Sequence, residues 1–223
     1  MPNLAIIGYG KMGRLVDQLA PEYGFNVTAR VDVGREESLA GADVAVEFSV
    51  PSAVLGNIQK VAAQRIPIVV GTTAWAAHLA EAKAIIESSG SALVWSPNFS
   101  VGVNVFTRLV SEAARLLANE KEYGAWAWEI HHITKKDAPS GTLIQLVDRM
   151  KAAGYARDID SSSSRAGAHP GTHEIGFDSP ADTITLRHTA RSREGFARGA
   201  LKAAQWIIGR KGFFEFSDVL FGG

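Results

Sequence analysis

Residues 129–142 read EIHHITKKDAPSGT, which places two histidines, two lysines and a Pro-Ser-Gly-Thr turn within one short stretch. An imidazole exchanges protons near neutral pH, and a lysine ammonium donates one where its surroundings lower its pKa. In an extended strand, Glu129 and His131 share one face while Trp128, Ile130 and His132 share the other. Both histidines therefore reach one ligand only where the strand bends or ends. Asp137-Ala138-Pro139 breaks the chain direction, and Ser140-Gly141-Thr142 reads as a helix start capped by Ser or Thr. A helix start beside Lys135 and Lys136 is an anion site, and Gly141 lets a carboxylate approach the backbone. The competing reading is a core histidine beside a solvated turn, which the combination of residues disfavours. Adjacent histidines on opposite faces make a poor metal pair, HExxH is absent and there are no cysteines, so no metal is expected.

A second group opens the chain. Gly8-Tyr9-Gly10-Lys11-Met12-Gly13 is a G-x-G-x-x-G directly after an apolar run, Asn3–Ile7, and before a helical pattern carrying Met12, Leu15, Val16 and Leu19. Such glycines permit the tight turn, the approach of a pyrophosphate and close helix–strand packing. Asp32 lies 22 residues beyond Gly10, where an acid accepts hydrogen bonds from a ribose diol and disfavours a 2′-phosphate. Arg30 and Arg35 are near enough in sequence to soften that preference, so NADH, NADPH or both are expected. Gly71-Thr72-Thr73, Ser96-Pro97-Asn98-Phe99 and, with less chemical content, Phe48 follow later strands and complete the expected cofactor contacts.

These groups need a scaffold. Strands at 25–31, 43–48, 66–70 and 92–95, with helices at 51–64 and 74–88, extend the opening βα unit into a doubly wound parallel sheet. After SPNFS the rhythm changes: a helix over 102–119, the alternating AWAWEIHH strand, a helix from Gly141 and two strands, THEIGF and DTITLRHTA, around Asp178-Ser179-Pro180. DIDSSSSRAG reads as a mobile loop. An amphipathic stretch at 194–208 and KGFFEFSDVLF close the chain. His169, His173 and His188, each taken alone, read as structural. Arg187, Arg191, Arg193 and Arg198 either feed charge to the site or are solvated.

Composition sets the outer limits. Hydrophobic residues make up 46%, charged residues 21%, and formal net charge is zero, so neither nucleic acid nor an anionic membrane is an expected partner. The lack of cysteine removes disulfides and thiol nucleophiles. No stretch reads as a signal peptide or membrane span, and the expected location is cytoplasmic.

IIGYGKMG, VGTT, SPNFSVGVNVF, EIHHITKKDAPSGT, GTHEIGF and HTARSREGFARGALKAAQWI occur in an order and spacing that resembles the dihydrodipicolinate reductase family across nearly the whole chain. The resemblance implies NAD(P)H-dependent reduction of a small cyclic dicarboxylate, 4-hydroxy-tetrahydrodipicolinate, in the diaminopimelate route to lysine. It implies a Rossmann-like domain over 1–100 and 199–223, and a smaller α+β domain over 101–198. The open mixed sheet of that second domain would bind substrate and build a homotetramer. By the same resemblance His131 and Lys135 are catalytic, and His132, Ser140, Gly141 and Thr142 contact substrate. Two features depart from the family's pattern and bear on cofactor choice: GYGKMG is one residue shorter than GxxGxxG, and Asp32 is followed by valine where arginine is common. No tyrosine is followed by lysine four residues on, which separates the chain from short-chain dehydrogenases.

Overall fold

The computed structural model describes residues 1–222; Gly223, the last residue of the expected first domain, lies outside the described residues. The chain forms two compact units, 1–101 with the described residues from Arg193 onward, and 102–192. The second boundary falls before the amphipathic helix at 194–207 instead of cutting it at 198/199, because that helix packs as a whole on the first unit.

In chain order the first unit begins β1 (Asn3–Ile7), α1 (Lys11–Leu19), β2 (Asn26–Val31), β3 (Val44–Glu47), α2 (Val54–Ala62), β4 (Ile68–Val70), α3 (Leu79–Ser89) and β5 (Ala92–Trp95). Alternation within each strand sends side chains to two faces. Leu4, Ile6, Val44, Val46, Val69 and Val94 enter one core, and Ala5, Ile7, Ala45, Ile68, Val70 and Leu93 the other.

The second unit holds α4 (Val101–Leu116, starting at the boundary), β6 (Gly124–His131), α5 (Gly141–Ala152), β7 (Ile159–Arg165), β8 (Thr172–Asp178) and β9 (Thr183–Thr189). Its sheet is mixed, in the order β7-β6-β8-β9, with β6 and β7 parallel and the other pairs antiparallel. One face packs on α4 and α5 through Phe106, Val110, Leu143, Leu146, Ile175 and Phe177. The opposite face carries the half-buried Trp126 and Trp128, and the Trp126 ring lies against Gly176. IDSSSSR is therefore an edge strand, β7, and not a mobile loop. Serine has little intrinsic preference for strands, and the backbone pairing with β6 overrides it.

The chain then returns to the first unit with α6 (Glu194–Ile207), β10 (Gly212–Glu215) and α7 (Phe216–Phe221). β10 pairs parallel to β5, which completes a six-stranded parallel sheet in the order β10-β5-β4-β3-β1-β2. α6 supplies Ala197, Ala200, Leu201, Ala204 and Ile207 to one of the two cores.

Candidate active site

In the first unit, the loops after β1 to β5 all lie at the carboxyl edge of the parallel sheet, and the glycine loop follows β1 where the strand order reverses. Gly13 sits so close to the turn that a Cβ there would stand 2.1 Å from the Gly8 carbonyl oxygen. Gly8, at φ +88°, is itself pressed against the Phe48 carbonyl. Gly10 is different, since a Cβ there would meet nothing within 4 Å. As the N-cap of α1 it offers no side-chain cap, and the helix has no acid in its first turn. The amides at this helix start are uncapped and face open space, which fits a pyrophosphate.

Tyr9 is fixed by a hydrogen bond from its hydroxyl to Asp17, with the Arg14 and Arg35 guanidinium groups 5.8 and 5.6 Å from its ring centre. Arg30 is committed to the same Asp17 through two bonds of 2.7 and 2.8 Å, and Arg35 pairs with Glu37 at 2.6 Å. Asp32 is exposed in a tight turn, exchanging backbone hydrogen bonds with Arg35. Lys11 is exposed and Met12 packs partly on the core.

The later loops divide. Gly71 makes room for the Phe48 ring, which a Cβ would meet at 2.1 Å. Thr72 is buried, with its hydroxyl turned to the Glu47 carboxylate, and Thr73 is exposed. The Ser96 hydroxyl is used by its own turn, donating to the Asn98 carbonyl at 2.8 Å and accepting from the Asn98 amide at 3.1 Å. Pro97 is exposed. Phe99, expected to touch cofactor, is a core residue, packed against Phe216 with ring centres 4.8 Å apart and the rings tilted by 48°. Sequence reasoning passes over Glu47, an acid ending an otherwise apolar strand. It is fully buried, and Oε1 accepts from the Ser49 amide at 3.1 Å, from the Ser49 hydroxyl and from Asn57 at 3.3 Å. Burial raises its pKa against those hydrogen bonds.

In the second unit the alternation of β6 holds: Ala125, Ala127, Glu129 and His131 are buried on the helix-packed face. Glu129 Oε1 accepts from the Ser140 amide at 2.8 Å, the Ser163 hydroxyl at 2.9 Å and Arg165 at 2.9 Å. Burial alone would raise its pKa, but the hydrogen bonds from Ser140, Arg165 and Ser163 outweigh burial and hold it at about 2. Arg165 and Ser163 come from β7, so the stretch expected to be a loop supplies two of the three residues that fix Glu129. The His131 and His173 rings meet edge to face at 5.1 Å. Burial lowers both pKa values, that of His173 to about 4; Glu129 opposes the shift at each, and Lys135 and Arg165 deepen it at His131.

Glu129, His131 and His173 bring potential ligand atoms within 4.8 Å of one another. The Arg165 guanidinium already neutralises that carboxylate, which argues against a bound cation.

Lys135 is two-thirds or more covered and donates to both Asp137 oxygens at 2.8 Å. His132 is half-buried with Nδ1 2.7 Å from the Thr134 hydroxyl, and Lys136 is exposed. Ser140, expected to contact substrate, is buried instead as the N-cap of α5: its hydroxyl accepts from the Leu143 amide at 3.2 Å and lies 3.1 Å from His173 Nε2. Gly141 is exposed with open space where a Cβ would be, and Thr142 is half-buried, so the first turn of α5 keeps an open approach. His169 Nδ1 accepts from the Gly171 amide at 3.2 Å, and His188 lies beside Phe106. Arg187 pairs with Glu174 at 3.2 Å, opposite it across β8 and β9 and on the face away from Glu129, while Arg198 pairs with Glu22 in the first unit. Neither feeds the His131 cluster.

A glycine loop with uncapped amides at the switch point of a parallel sheet is the arrangement of the dinucleotide-binding oxidoreductases, and the chain is of that class. Within it, the chain belongs to the dihydrodipicolinate reductase family. The family model for the N-terminus of dihydrodipicolinate reductase matches residues 2–99, and that for the C-terminus matches 102–220. A 4-hydroxy-tetrahydrodipicolinate reductase from Christiangramia forsetii is 36% identical, over 98% of this chain and 97% of its own. One from Methanoregula boonei is 35% identical over 89% and 82%. Among solved structures, a dipicolinate-bound dihydrodipicolinate reductase from Paenisporosarcina sp. TG-14 matches at a TM-score of 0.84 and 19% identity, covering 99% of this chain and all of that one. Among the described residues no helix is long and apolar enough to cross a membrane.

Proposed function

We propose that the protein reduces 4-hydroxy-tetrahydrodipicolinate to tetrahydrodipicolinate in the diaminopimelate route to lysine, the reaction named for its curated relatives. The observation that carries the reading is the second unit's cluster: a buried imidazole, His131, which feels the charge of Lys135, with the segment from His131 leading into the open first turn of α5. When bound, the reduced nicotinamide supplies the hydride; overall the ring loses its hydroxyl as water and gains a hydride and a proton. Uncapped amides at the start of α1 hold the pyrophosphate, and Asp32 accepts from the adenosine ribose. Gly141 and Thr142 hold one substrate carboxylate through the helix start, and His132 contacts the other end of the ring. Lys135 delivers the proton to the carbon skeleton, and His131 supports acid/base exchange. Ser140 acts from behind, capping α5 in place of touching substrate, and Phe99 shapes its loop from the core.

NADH is the preferred donor on this reading. Asp32 repels a 2′-phosphate, Arg30 is committed to Asp17, and Arg35 is shared between Glu37 and the Tyr9 ring. Supplying aspartate semialdehyde, pyruvate and the preceding synthase should start nicotinamide oxidation, followed by absorbance, with kcat/KM for NADH about tenfold or more above that for NADPH, or about 1.4 kcal/mol. Absence of turnover with either cofactor refutes the activity, and a preference for NADPH refutes the role given to Asp32. The face of the second sheet that carries Trp126 and Trp128 supports a homotetramer as the working form, located in the cytoplasm. Light scattering on the purified protein should return four chains, and a monomer mass rejects that assembly.

A further inference from the structure

Two buried atoms in the second unit are left unsatisfied, and they face one another. Oε1 of Glu129 is saturated by Ser140, Ser163 and Arg165, whereas Oε2 has no hydrogen-bond partner. It stands 3.4 Å from His131 Nδ1, itself buried and unpartnered, and 3.3 Å from His173 Nε2. Unpaired buried polar atoms are rare in a folded chain and call for a reason. Here a slight turn of the His131 ring pairs both, and catalytic hydrogen bonds commonly tighten only when substrate is present.

The geometry points to Glu129 as the positioning residue for His131: its Oε2 holds the proton on Nδ1, which leaves Nε2 as the nitrogen that exchanges protons with substrate. The inference rests on the reading of His131 as an acid/base group. Space around the ring agrees with it. A Cβ on Gly171 would lie 2.9 Å from Nε2, so glycine at φ +134° keeps that nitrogen clear. His173 has its Nε2 3.1 Å from the Ser140 hydroxyl and 3.3 Å from that oxygen, and burial, with the repulsion of His131, holds it neutral beside the charge that forms on His131. The ionisable groups facing His131 are Glu129 from β6, Arg165 from β7, His173 from β8, and His132 and Lys135 from the segment after β6; α5 brings no acid in its first turn. Of these, Glu129 alone favours the imidazolium. A buried carboxylate behind a working imidazole is the arrangement that fixes tautomer and steadies the protonated ring.

Glu129→Gln keeps shape and removes charge. In the intact enzyme kcat should fall by about 100-fold or more, toward the roughly 10⁴-fold seen where the carboxylate that fixes a catalytic imidazole becomes an amide. KM for the nicotinamide cofactor should be unchanged. The pH limb of kcat/KM that belongs to His131 should move to lower pH, because the charge favouring the imidazolium is gone, and Glu129→Asp should return that limb toward its original position. A fall in kcat with the limb in place would mean that Glu129 only holds the fold, and the inference fails. Imidazole nitrogen NMR on the unaltered protein tests the same point without any variant having to fold: His131 with its proton on Nδ1 is expected, and a proton on Nε2 overturns the inference. His131→Gln separates the two layers. If it turns over normally, the acid/base reading of His131 falls, and this inference with it.

Discussion

Lys135→Ala should lose about 10²- to 10⁴-fold in kcat, the range that a positioned proton donor contributes, with the Kd for nicotinamide cofactor unchanged. The assigned ammonium lies between the imidazole and the anion-binding turn in sequence, and of the two lysines it is the one whose field is felt at His131. Its partner in the structure is Asp137, at 2.8 Å through both carboxylate oxygens. That pair holds the ammonium ready and contributes little to folding, since its Asp137 side is exposed to solvent and such surface pairs give about 1 kcal/mol or less. The variant should therefore melt close to the parent, so the lost rate cannot be blamed on unfolding. Lys135→Arg should not rescue, because a guanidinium keeps its proton and presents a planar fork in place of a single point charge. Normal turnover by Lys135→Ala in the coupled assay would end the proton-donor assignment.

The second large effect is expected at the glycine loop. Gly13→Ala forces a Cβ to within 2.1 Å of a backbone oxygen that cannot swing aside, with the Ile6 side chain 3.3 Å away on the far side. α1 must lift from β1, which costs about 1–3 kcal/mol as overpacking does elsewhere. In a chain of this size each kcal/mol lowers the melting midpoint by about 2–4 °C. The amides that receive the pyrophosphate move with the helix, so NADH affinity by fluorescence titration should weaken at least about tenfold. Gly10→Ala is the matched comparison: the structure has open space for its methyl group, so stability should hold while cofactor affinity falls. If Gly10→Ala binds NADH as the parent does, the pyrophosphate does not approach the backbone there. If Gly13→Ala melts normally, the helix–strand contact is not the constraint inferred.

The contrast between those two glycines is not visible in the sequence, where both are letters of one motif. What periodicity carries, it carries well. The alternation of AWAWEIHH puts Glu129 and His131 on the buried face, and the apolar runs place the first five parallel strands to within a few residues. Other features escape it. β7 looks like a loop because its serines carry neither bulk nor alternation, and only the backbone of β6 makes them a strand. Arg165 lies 36 residues from Glu129, and no local pattern joins a buried acid to a cation at that distance. The capping role of Ser140 is also hidden in the sequence, because a capping serine and a binding serine share one sequence context, and only the fold shows the hydroxyl buried against the Leu143 amide. His173 reads as a lone structural histidine because its partners arrive from another strand.

The placement of β10 at the far edge of the first sheet has a consequence for how the chain is made. Residues 1–101 emerge from the ribosome with one face of their sheet only partly covered: α1 supplies Val16 and Leu19 there, but Ala197, Ala200, Leu201, Ala204, Ile207 and Phe216, which complete that core, are synthesised last. The second unit is continuous, 102–192, and has its whole core to hand before those residues are made. The usual order of N-terminal domain first is thus reversed here. The nucleotide-binding half waits as an unclosed sheet, and the segment from 193 onward acts as the latch that completes it.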